Sequence, residues 1–129
     1  MPIEPAKSTN QFFPMPPGGG MAWVSAYIAQ SAGRGGVYLK FAKAYDRGPE
    51  ISEILESDRD AIGREIGVRL RWDRDGDRLD LGVPHVTFAD LNVPADRKRV
   101  IAYLADMTQR MIRVLKPRLE AATQKGRTD

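Results

Sequence analysis

The sequence predicts an α+β domain: an antiparallel sheet of about four strands in ββαββα order, with two helices on one face. Three observations carry this expectation. Two runs that alternate apolar and polar residues flank the glycine cluster at 33–36. A second such pair flanks Asp75-Gly76. The last third of the chain repeats its apolar residues at three- and four-residue steps.

Ala22 to Gln30 reads as the first strand, with Trp23 and Tyr27 on one face and Val24 and Ile28 on the other. Ser31-Ala-Gly-Arg-Gly-Gly36 reads as a turn whose glycines supply positive φ. Val37 to Ala44 is the second strand, with Val37, Leu39 and Phe41 sharing a face, and the two strands make a hairpin. Asp46-Arg-Gly-Pro49 breaks the chain. Glu50 to Gly67 forms a helix on the apolar stripe Ile51, Ile54, Leu55, Ile62 and Ile66, interrupted at Asp58. Its acidic first turns suit the positive end of the helix dipole, and Gly67 fits the C′ position.

Val68, Leu70 and Trp72 alternate with Arg69, Arg71 and Asp73, so the third strand has one buried face that includes Trp72. Asp75-Gly76 signals a tight hairpin into a fourth strand through Leu79, Leu81 and Val83 toward Phe88, with Pro84 at a bulge or edge. The final helix runs from Pro94 or Asp96 to Ala122, with Asp96 as N-cap and a kink at Pro117. Residues 1–20 hold five prolines and the Gly18–Gly20 triplet and read as a flexible tail, with Phe12, Phe13 and Met15 as the apolar exception that folds back on the domain or docks on a partner. Residues 21–122 form a single domain, and 123–129 read as a frayed C-terminus.

At 129 residues, 42% of them hydrophobic, the chain can bury one ordinary core. It has no cysteine, which excludes a disulfide framework, a Cys zinc site and a thiol nucleophile. A single histidine, His85, excludes a multi-histidine metal centre. No apolar run approaches the ~20 residues of a membrane span, and MPIEPAK lacks a signal-peptide apolar region. A cytoplasmic location without membrane partners is the expectation. The net charge of +3 is unevenly spread: residues 1–49 carry +3, 50–96 carry −6, and 97–129 carry +6. A basic C-terminal block on an acidic body points to an anionic partner or an acidic neighbour, or else to an ordinary solvated surface.

The catalytic motifs fail on spacing. Asp73-x-Asp75-x-Asp77 begins like a calcium loop, but positions 6 and 12 hold Arg78 and Pro84 instead of Gly and Glu. Gly33-x-Gly35-Gly36 leads into a strand, not a helix N-terminus, so it is no dinucleotide fingerprint. His85 reads as a structural or edge histidine. No Glu-x-Lys occurs, and Asp96-x-Lys98 lies on a helix, so no nuclease-type metal site is expected. The chain reads as a non-enzyme without cofactor or metal. The best binding candidate is the polar face of the last helix. Arg99, Arg110 and Arg113 lie within about 60° of one another at 100° per residue, with Lys98 and Lys116 flanking. Such a stripe can follow phosphates or meet an acidic protein, and outward-facing Tyr38 and Lys40 could extend it.

Trp23, then Val37-x-Leu39-x-Phe41, then Ile62-Gly63-x-Glu65-x-Gly67-x-x-Leu70-x-Trp72, and finally Leu115-Lys116-Pro117-Arg118-Leu119 occur in this order over about residues 22–120. This series resembles the bacterial and archaeal domain of unknown function DUF4268. The resemblance implies an accessory or recognition module of the kind found beside nuclease-like or defence-associated regions. It carries no catalytic residue onto this chain. The expected function is therefore a small binding module for nucleic acid or a nucleic-acid-processing partner, engaged through the basic helix face. The alternative is a self-associating structural or interaction component of a mobile-element or defence system, for which a homo-oligomer is an option.

Overall fold

A computed structural model describes residues 8–125. Its order is β1 (Ser8–Met15), β2 (Ala22–Ala29), β3 (Arg34–Phe41), α1 (Gly48–Ser57), α2 (Arg59–Ile66), β4 (Arg71–Asp75), β5 (Arg78–Gly82), β6 (Val86–Thr87) and α3 (Pro94–Lys125). The chain is α+β, as its periodicities predict, and every strand pairing is antiparallel. The sheet order is β1-β2-β3-β5-β4, with β6 also on β3. Among the described residues six strands and three helices replace the expected four and two, and each difference has a local cause.

The extra strand comes from the presumed tail. Residues 8–15 pair along all of β2, from Ser8 opposite Ala29 to Met15 opposite Ala22. Met15 is 2% exposed and Phe13 packs on the core, so apolar burial holds a segment whose prolines argued for disorder. The glycine triplet is the turn that returns the chain: Gly18, Gly19 and Gly20 all have φ between 65° and 88°, which only glycine adopts at little cost. In the next hairpin the turn covers residues 30–33, and Gly35 and Gly36 lie inside β3, not in the turn. A Cβ on Gly35 would sit 2.7 Å from the Tyr27 carbonyl oxygen, so glycine is needed there for close strand approach.

The expected fourth strand is divided by a bulge. Tyr38 pairs with Gly82 and Gly35 with Val86, so two residues of β3 face Val83, Pro84 and His85. Proline has no N–H for the ladder, and the bulge turns its neighbour His85 outward. The expected helix over 50–67 likewise divides at Asp58 (φ −112°, ψ 20°), and Gly67 closes α2 in the left-handed conformation as expected.

All three helices cover one face of the sheet. Val24, Val37, Leu39 and Leu81 from that face are buried with Ile51, Leu55, Ile62, Ile66, Met111, Leu115 and Leu119 from the helices. Trp72 points inward but lies near the β4 edge, half-buried, with the Arg59 guanidinium 5.2 Å from its ring centre. In α3 the Arg97 N–H donates to the Val93 carbonyl, which makes Val93 the N-cap and places Asp96 in the first turn. The helix continues through Pro117 and past the expected fraying point. Arg47 explains the extension: its guanidinium donates to the carbonyls of Thr123 (2.6 Å) and Ala122 (3.0 Å), filling acceptors that a helix end leaves open. Among the described residues no helix is long and apolar enough to cross a membrane.

Candidate nucleic-acid interface

With the helices on one side, no element among the described residues covers the other face of the sheet. Strand alternation decides what stands on it. The registers Pro14–Trp23–Lys40, Phe12–Ser25–Tyr38–Gly82–Arg71 and Asn10–Tyr27–Gly36 all point outward. The bulge adds His85. Four of the ten aromatic residues and the sole histidine therefore share this surface.

Two glycines shape it. At Gly36 a Cβ would press on the Tyr27 ring at 3.1 Å and on His85 at 3.2 Å, so both rings lie low across the bare backbone. At Gly82 a Cβ would collide with the Arg71 guanidinium, which crosses there to bond Asp73 (2.8 Å) and the Val83 carbonyl (3.3 Å). Tyr27 meets Tyr38 edge-on at 5.8 Å and His85 at 6.2 Å. Beneath Phe12 and Tyr38, Ser25 is fully buried and donates to the Asn10 side-chain oxygen. The Trp23 indole N–H is buried on the same face without an acceptor among the described residues.

These groups enclose an open groove of about 460 Å³ lined by Asn10, Tyr27, Arg34, Tyr38, Lys40, Arg71, Asp80 and His85. Lys40 pairs with Asp75 at 3.4 Å and Arg71 with Asp73, whereas Arg34 is exposed with no ion pair among the described residues. Burial holds the Asp80 carboxyl above its usual range, against the pull of Lys40 and Arg71. Burial, with Arg71 and Arg34 nearby, lowers the His85 pKa, so its ring is neutral at pH 7. Burial also raises Tyr27. The groove thus offers flat ring faces, a neutral imidazole, a carboxylate acceptor and cations at its rim. Such a surface can stack planar rings, bond their polar edges and hold an adjacent anion.

The helix face proposed from the sequence looks different in three dimensions. Arg99 and Arg110 are engaged by the protein itself. Arg99 donates to the Thr87 carbonyl (2.9 Å) and pairs with Asp96 (3.5 Å). Arg110 donates to the Ile66 carbonyl at the end of α2 (3.0 Å) and pairs with Asp106 (3.1 Å). Lys98, Arg113 and Lys116 are exposed without ion pairs among the described residues. Lys98 and Lys116 stand about 27 Å apart at 1.5 Å per residue, and Ala102, Ala105, Asp106 and Gln109 occupy the face between them. The helix therefore carries two separated cationic ends, not a stripe.

Other predicted residues sort in the same way. Asp73, Asp75 and Asp77 each pair with a different cation, Arg71, Lys40 and Arg78. Arg118 grips Asp58 (2.8 Å) and Glu65 (2.6 Å) and also bonds the Val114 carbonyl. Tyr38, Lys40 and His85 were legible as outward or edge positions. Arg71 was legible as the outward side of its strand; Arg34 and the two floor glycines were not, because only the register brings them into the groove. Comparison with family models, with curated proteins and with solved structures finds no match to this chain.

Proposed function

We propose that this protein is a non-catalytic binding module that takes single-stranded nucleic acid on the open face of its sheet. The observation that carries the reading is the gathering of Phe12, Trp23, Tyr27 and Tyr38 with His85 on the sheet face that no helix of the described residues covers. Bases stack on exposed aromatic rings because every base has a flat face, and cations at the rim hold the phosphates between them. Arg34, at the rim of the groove, supplies charge for a passing backbone. An accessory role beside a nuclease-like or defence-associated enzyme, which the DUF4268 resemblance implies, fits such a module.

The test is fluorescence anisotropy with labelled single-stranded DNA, single-stranded RNA and duplex DNA of equal length, at several salt concentrations. Single strands are expected to bind more tightly than duplex, with affinity falling as salt rises. Tyr38→Ala should weaken binding roughly tenfold, the loss of one stacked base. An unchanged Tyr38→Ala affinity with a loss in a Lys98→Gln/Arg113→Gln/Lys116→Gln variant would move the surface to the helix. Wild type that binds none of the three probes at low salt would end the nucleic-acid reading.

A further inference from the structure

The two edges of the sheet are built differently. At one end β4 is short and carries Arg71, Asp73, Arg74 and Asp75 among its five residues, the charged protection that keeps an edge from pairing. At the other end β1 spans eight residues, Ser8–Met15, with no charged side chain. Its phase is fixed by the ladder. The Met21 carbonyl bonds the Ala42 N–H on the β3 side, so the odd residues of β2 point to β3 and the even ones to β1. The odd residues of β1 therefore bond β2. Ser8, Asn10 and Phe12 direct their N–H and C=O groups away from the sheet, and Pro14, which has no N–H, falls in the same outward phase. Apolar groups flank this edge on both faces. Phe12 is 61% exposed on the outer one, and on the inner one Phe13 and Ile28 face Leu104 and the 47% exposed Ile101 across a groove of about 420 Å³.

We propose that β1 is a homodimerisation edge, on which β1 of a second copy pairs antiparallel about a two-fold axis through Asn10. The phase of the outward-facing groups selects this register. Asn10 faces Asn10 of the other copy, Ser8 faces Phe12 in both directions, and Pro14 falls beyond the bonded pairs. Every outward N–H then finds a carbonyl, and the arrangement is isologous, the same strand serving both sides. An uncharged strand meets its own copy without like-charge repulsion. The same union would bring Phe12 of each copy toward its partner and join the two open faces into one. The proposal rests on β1 alone and does not depend on nucleic-acid binding.

Sedimentation velocity over a concentration series of the full chain tests it, with wild type expected to shift from monomer to dimer. Asn10→Pro removes the two central bonds while keeping the β2 ladder, because that N–H faces outward as Pro14 does, and should raise the dimer Kd about tenfold or more. Asn10→Asp is nearly isosteric and should weaken the dimer at neutral pH by setting two carboxylates opposite each other, with recovery in acid. The chain has no cysteine, so Asn10→Cys should cross-link as a dimer under mild oxidation and Glu53→Cys should not. Circular dichroism checks that each variant is folded. A wild type that stays monomeric to its solubility limit overturns the proposal. So does a dimer that both Asn10→Pro and Asn10→Asp leave intact, or one that cross-links no better through position 10 than through 53.

Discussion

Met15→Ala separates a docked β1 from a flexible tail. The Met15 side chain is 2% exposed, beside Ala22 on the helix-covered face of the sheet. Truncation to alanine removes about three buried heavy-atom groups, worth about 2.4 kcal/mol at ~0.8 kcal/mol each. The cavity left behind raises the cost within the ~2–5 kcal/mol range for such changes, and partial relaxation of an edge strand lowers it again. The expected loss is about 3 kcal/mol, equivalent to a fall in Tm of roughly 10 °C or more for a domain of this size. Thermal and urea denaturation followed by circular dichroism measure it, with an unchanged m-value showing that the native state stays compact. Phe12→Ala on the same strand is the internal control: at 61% exposure its loss should stay within ~0.5 kcal/mol. If Met15→Ala is as mild as Phe12→Ala, β1 is not docked and the reasoning from burial fails.

Arg47→Ala should cost about 1–2 kcal/mol and selectively raise amide exchange in the last turn of α3, because two carbonyls there lose their donors. Uniform exchange along α3 would contradict the capping role. The depressed His85 pKa means that the folded state disfavours the imidazolium. Its contribution to stability is present above the unfolded histidine pKa of about 6.5 and is lost as pH falls toward the lower folded value. His85→Asn should flatten the stability profile in that window. Asp80 works in the opposite sense: its raised pKa makes the carboxylate a penalty at neutral pH that protonation relieves. Asp80→Asn should therefore stabilise the protein at pH 7, with the gain shrinking in acid, and a loss of stability at pH 7 would show that the carboxylate holds a favourable contact.

The elements set by short-range rules were legible in the chain. Alternation separated the two faces of β2 and placed the inward faces of β3 and β5; Gly67 closed a helix; Pro84 marked a bulge or edge; and the three- and four-residue steps oriented α3. Each depends on neighbours within one turn or one strand, so residue order is enough. Tertiary structure decided the rest. Pro14 and the glycine triplet argued for disorder until β2 offered residues 8–15 a ladder and the core took Met15. The basic C-terminal block read as free charge until Arg99 and Arg110 found carbonyls on Thr87 and Ile66, 12 and 44 positions away in the chain. The open groove likewise draws on five strands and a bulge. A guanidinium is long enough to reach whichever acceptor folding brings within hydrogen-bond distance. Its partner is therefore a property of chain topology, which no local pattern encodes.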